Sequence, residues 1–251
     1  MDCQILVGGG NYDSWLDLYG YTTDGLISNL EWLNRAKEKN TFFANGWHIF
    51  TDFSHLQNLY LRFLDGVIWE DVLYAELLFA QSKRIAILPQ RLVHYRVRQN
   101  NTSNFSGVAQ KNLPPFVKPL QRYFDNANEA WAYFSAFSWC EMANEFVKFC
   151  ETYSNKGLCE RLKECFLGHL LCESSAIMDC KSDPKGAKII FAKLIRRFGK
   201  KYLPKDKRHF RFYNVPILWH TMRITCNFYE NLKNLERKIR RWRKGIFKKH
   251  N

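Results

Sequence analysis

Two apolar-periodic runs do most to constrain how this chain can fold. "EAWAYFSAFSWCEMANEFVKFCETY" and "GLCERLKECFLGHLLCESSAIM" each repeat apolar side chains three and four residues apart, the spacing of one helix face. They are broken at Asn155, Lys156 and Gly157, so the pattern predicts a helical hairpin or small bundle. Residues 116–180 read as helical throughout, and Pro114 and Pro115 mark the boundary before them. No chemistry is visible in this part. At 251 residues the chain is long enough for a substantial core, as one large domain or a domain with an appendage. A hydrophobic share of 46% and an aromatic share of 16% exclude a disordered chain.

Upstream of the prolines the pattern changes to mixed structure. "QILV" suggests a short strand running into Gly8, Gly9 and Gly10. That glycine run fits no phosphate-loop spacing and reads as a turn. "DGLISNLEWLNRAKEK" has helical spacing with Asp24 as its cap. The turn at Asp65 and Gly66 precedes a predicted helix from about Trp69 to Gln81, with Val72, Leu73, Leu77 and Ala80 facing a core. "RIAILP" and "RLVHYRVR" follow as short β-rich runs. The eight cysteines contain no C-x-x-C pair and lie mostly in helical apolar stretches, which points to reduced core residues and not to zinc.

Charge is divided unevenly. The net +14 resolves into about −4 over the first 180 residues and +18 from Lys181 onward. From Arg223 an apolar stripe runs through Phe228, Leu235 and Trp242, with Arg237, Lys238, Arg240, Arg241, Arg243 and Lys244 on the other faces. Such a helix suits an anionic membrane surface, where each nearby cation contributes about 1 kcal/mol. Docking on the helical body, or a coiled coil, would use the same stripe. Nucleic acid would suit the cations too, but no helix-turn-helix, zinc or RNP-like pattern supports it. No apolar run is long enough to span a bilayer, and the start lacks the features of a secretory signal. The expected location is therefore cytoplasmic, peripheral on the inner face of a membrane.

The helix from Trp69 opens with adjacent carboxylates, Glu70 and Asp71. Acids at a helix N-terminus are stabilised by about 0.3–1 kcal/mol each, and capping alone accounts for such a pair. Trp69 beside them and the downstream cations of "HYRVRQNNTSN" suggest instead a partly desolvated cleft with an anion clamp, as group transfer from a phosphate leaving group requires.

The whole run "LRFLDGVIWEDVLYAELLFAQSKRIAILPQRLVHYRVRQNNTSN" resembles the C-terminal half of the catalytic domain of bacterial family-2 glycosyltransferases. Phe63, Gly66, Glu70, Asp71, Tyr95, Arg96, Arg98 and Ser103 fill the family's positions, and Trp47 matches an upstream family tryptophan. The resemblance implies an α/β fold: a partial nucleotide-diphospho-sugar transferase (GT-A-like) fold over residues 1–110. A mainly α-helical C-terminal region then divides into a hairpin or bundle, 111–182, and a basic amphipathic tail, 183–251. It implies Asp71 as general base and Glu70 as its orienting or acceptor-contacting neighbour. Arg96 and Arg98, on one face of a strand, would neutralise the diphosphate, assisted by His94 or Ser103. Trp69 and Trp47 are further substrate-binding candidates.

The implied partners are a nucleotide-sugar donor and a polysaccharide, lipopolysaccharide or lipid-linked acceptor. The implied cofactor is a divalent cation, Mg or Mn. The family's donor-binding half and its D-x-D metal motif are not found: Asp13 and Asp17 are four apart, and Asp24 and Asp52 stand alone. The chain thus reads as an acceptor-side half, whether truncated, degenerate or completed by a second chain that supplies the donor half.

Overall fold

The computed structural model describes residues 2–7, 10–11, 15–40, 49–59, 61–96 and 113–204, with side chains over 16–40, 49–59, 61–90 and 113–204. The fold is rich in helix, with two small sheets. Strand β1 (Asp2–Val7) pairs antiparallel with β2 (Gly10–Asn11) and parallel with β5 (Arg91–Arg96), in a register that sets Gln4 against His94 and Leu6 against Arg96. Strands β3 (Gly25–Ile27) and β4 (Ile85–Ile87) form a separate antiparallel pair. The expected strands "QILV", "RIAILP" and "RLVHYRVR" are all present.

Helix α1 (Trp15–Tyr19) leads through β3 to α2 (Asn29–Lys39). Its N-cap is Ser28 and not Asp24: the Ser28 side chain accepts from the Glu31 N–H, and Glu31 accepts from the Ser28 N–H at 2.7 Å. The start moves downstream because residues 25–27 are drawn into the pairing with β4. Helix α3 (Phe53–Leu59) is capped by Asp52, whose carboxylate accepts from the His55 N–H at 3.0 Å. Helix α4 (Glu70–Gln81) buries Val72, Leu73, Leu77 and Ala80 as its periodicity predicts, and Ala75, Glu76 and Leu78 with them. The Asn29 amide donates to the Ala80 carbonyl at 2.6 Å, fastening the start of α2 to the end of α4.

After a short 3₁₀ turn, Lys118–Tyr123, α5 (Ala127–Thr152) runs 26 residues, about 39 Å. Asn126 and Asn155 cap α5 and α6 (Lys156–Leu162) through their side-chain oxygens. A π-helical turn, Lys163–Leu167, joins α6 to α7 (Gly168–Ser174), and a 3₁₀ turn, Ser175–Asp179, extends it. Helix α8 (Ala187–Tyr202) returns across α5 and α7. The expected hairpin is present with its break at Asn155, and α8 adds a further helix that buries Phe191, Leu194, Ile195 and Phe198.

One apolar cluster runs from Tyr19 to Leu203. Trp32 of α2 links its two halves, with ring centroids 5.1 Å from Phe79 of α4 and 5.4 Å from Phe166 of the π turn. Cys140, Cys150 and Cys159 are buried free thiols within it, as small apolar residues would be. Among the described residues no helix is long and apolar enough to cross a membrane. The basic stripe with Arg237, Lys238, Arg240, Arg241, Trp242, Arg243 and Lys244 lies outside the described residues.

Candidate functional site

The turn before α4 is built to hold one unusual backbone position. Phe63 stacks on Tyr74, ring centroids 4.1 Å apart, which folds residues 63–69 back along the helix they precede. Gly66 takes φ +75°, a left-handed conformation glycine adopts freely. The Ile68 N–H donates to the buried Ser138 hydroxyl of α5 at 3.1 Å, and that hydroxyl donates on to the Phe134 carbonyl at 2.8 Å. This clasp fixes the helix start. Trp69 then sits at φ +65°, where a bulky side chain costs about 1–2 kcal/mol. Such strain persists only where the surroundings impose it, and it gathers at functional sites.

Glu70 and Asp71 follow directly, both half-buried, at the positive end of α4. The Trp69 indole nitrogen is buried with no hydrogen-bond partner among the described residues. Two partly desolvated carboxylates beside an apolar ring form a surface that can accept a proton or orient a hydroxyl. Of the other predicted site residues, His94 and Arg96 lie on β5, where only the backbone is described. Trp47, Arg98 and Ser103 lie outside the described residues. Only Trp69, Glu70 and Asp71 are therefore brought together in view.

A cavity of about 760 Å³ opens at the other end of α4. Leu78, Gln81 and Ser82 line it, whereas Glu70 and Asp71 do not. Eleven residues of helix separate Asp71 from Ser82, roughly 16 Å at 1.5 Å per residue. His55 and Asp52 lie on its wall, and His55 Nε2 is 3.2 Å from Ser82 Oγ. No motif spacing signals this grouping, because its members come from α3 and α4, twenty-seven positions apart.

Glu76 is a lone acid on the core face of α4. It lies on the stripe of Val72, Leu73 and Ala80, so a lone acid on a core face was legible in "VLYAELLFA". Its side chain is fully buried, with neither carboxyl oxygen bonded among the described residues. Burial pushes its pKa well above the usual carboxylate range.

Among the described residues no group of three or more His, Cys, Asp or Glu converges to hold a metal, and the sequence has no D-x-D. No family model matches the chain, and no match was found among curated proteins or solved structures.

Proposed function

We propose that the chain is a glycosyltransferase-like protein. It transfers a sugar from a nucleotide-sugar donor to a polysaccharide, lipopolysaccharide or lipid-linked acceptor, with a partial GT-A-like fold around α4. The observation that carries this reading is the clasped turn that forces Trp69 into a left-handed conformation immediately before Glu70 and Asp71. A cap alone needs no such strain.

In the proposed step an acceptor hydroxyl gives its proton to Asp71. Its oxygen bonds to the anomeric carbon while the bond from that carbon to the nucleotide diphosphate breaks on the opposite face. The configuration inverts, and the electron pair leaves with the diphosphate. Glu70 orients the acceptor or Asp71. Arg96 and Arg98, with His94 or Ser103, are the proposed charge partners of the leaving group. No step is assigned to a metal. The missing D-x-D favours a second reading, in which the chain is a non-catalytic or split-enzyme piece that acts at membranes through its basic tail.

The test is a titration with UDP- and GDP-sugars, with and without Mn²⁺, repeated on Asp71→Asn. Donor binding within about twofold of the parent, with transfer reduced by roughly 10²–10⁴, is the result expected for loss of a general base. Failure to bind any donor would sink the self-sufficient enzyme and leave the second reading.

A further inference from the structure

The cavity at the C-terminal end of α4 has its own chemistry. Its volume of about 760 Å³ falls in the range of small-ligand sites. Leu16, Trp32, Ile49, Leu78, Ile85 and Ile87 give it an apolar wall. Two further lining residues remain in water: Phe50 is 82% exposed and Leu88 is 37% exposed. An apolar chamber with an apolar mouth favours a hydrocarbon occupant.

The charged groups at the cavity say which end of that occupant stays outside. Lys83 and Arg84 line it, are exposed, and form no ion pair among the described residues. Among the described lining residues the one carboxylate, Asp52, is engaged as the cap of α3. His55 and Ser82 do not form a nucleophile and its base here. The Ser82 hydroxyl donates to the Leu78 carbonyl at 2.8 Å, so its proton is committed. His55 Nε2, 3.2 Å from that oxygen, is then the donor. The pair is a fixed polar strut in the wall, and among the described lining residues the positive charge is carried by Lys83 and Arg84.

We propose that this cavity binds an anionic amphiphile, with the hydrocarbon chain in the apolar chamber and a phosphate or carboxylate head at Lys83 and Arg84. The site lies at the opposite end of α4 from Asp71, so the proposal does not depend on sugar transfer.

The test uses purified full chain and cis-parinaric acid, a fluorescent fatty acid, titrated below its micelle concentration. One saturable site is expected, with displacement by palmitate or farnesyl phosphate; whichever displaces better identifies the head group. Hexadecanol, lacking charge, competes more weakly, and UDP and inorganic phosphate leave the probe in place. Lys83→Ser with Arg84→Ser, both surface changes, weakens the anionic competitors roughly five- to tenfold and leaves hexadecanol unchanged. Ala86→Trp, at an exposed lining position, weakens all chain-bearing ligands. Absence of saturable binding overturns the proposal. Displacement by UDP would make the cavity a nucleotide site. Indifference to both variants would place the probe elsewhere on the chain. Either result is equally fatal to the proposal.

Discussion

Gly168 opens α7 directly after the π turn, inside a helical run where alanine would ordinarily be favoured by about 1 kcal/mol. Its surroundings reverse that preference. A Cβ placed there would lie 2.5 Å from the carbonyl oxygen of Tyr202, the last residue of α8. The obstacle is backbone and cannot swing aside as a side-chain tip would. Overpacking of this kind costs about 1–3 kcal/mol, more than the helix propensity returns. Gly168→Ala should therefore lower stability by about 1–2 kcal/mol, read as a fall in urea midpoint at unchanged slope. A rise in the midpoint would mean that the end of α8 does not rest on α7. The glycine itself is plain in the sequence, but its contact lies thirty-four positions downstream. Trp69 is a similar case: its identity suggested a cleft, while its left-handed backbone follows from the Ile68–Ser138 bond, which no local pattern contains.

At the scale of elements, the docking of α8 turns on Asp183. Its carboxylate accepts from the N–H groups of Ala187 at 2.8 Å and Lys188 at 3.0 Å, and from the Tyr133 hydroxyl of α5 at 2.9 Å. Tyr133 is fully buried. Asp183→Ala removes the acceptor of two first-turn N–H groups and leaves that hydroxyl without its acceptor, at a cost of about 2–3 kcal/mol. Asp183→Asn, which keeps an accepting oxygen, should cost about half as much. Thermal melts of the two variants check the order, and a loss below about 0.5 kcal/mol in Asp183→Ala would refute this account of how α8 is held. The apolar spacing of α8 does not by itself say what it covers, because a membrane and a bundle ask for the same periodicity. The start of α2 shows the converse. The Ser28-x-x-Glu31 capping box can be read locally, yet Asp24 looks equally good until β3 pairs with β4, sixty residues on. The candidate site divides in the same way. Adjacent Glu70 and Asp71 are legible, whereas the cavity draws its wall from α1 through β4 and exists only once they pack.

Over the whole molecule, two glutamates give opposite pH dependences to a core that spans both halves. Glu76 lies in that core with its carboxyl fully buried, and burial raises its pKa well above the ordinary value. In the unfolded chain it ionises near pH ~4.3. Above that pH the unfolded state has released a proton that the folded state keeps. Stability therefore falls as pH rises from ~4.3 toward the folded pKa, then levels off. Glu160 does the reverse. Hydrogen bonds from Lys163, Lys201 and Tyr202 hold its pKa down to about 2, so its contribution is fully present above pH ~4.3 and is lost as pH falls from there toward the folded pKa. Its side chain is 37% exposed, and solvent screening keeps this second effect small. Glu76→Gln should accordingly be more stable than the parent at pH 7 and should flatten the decline above pH ~4.3 while leaving the acid limb unchanged. Glu160→Gln should flatten only the acid limb. Urea midpoints from pH 3 to 8 for the parent and both variants decide the matter. If Glu76→Gln keeps the parent's decline, Glu76 is not the group that opposes folding at neutral pH. A carboxyl held neutral in the core would then not be what makes the joined halves sensitive to pH.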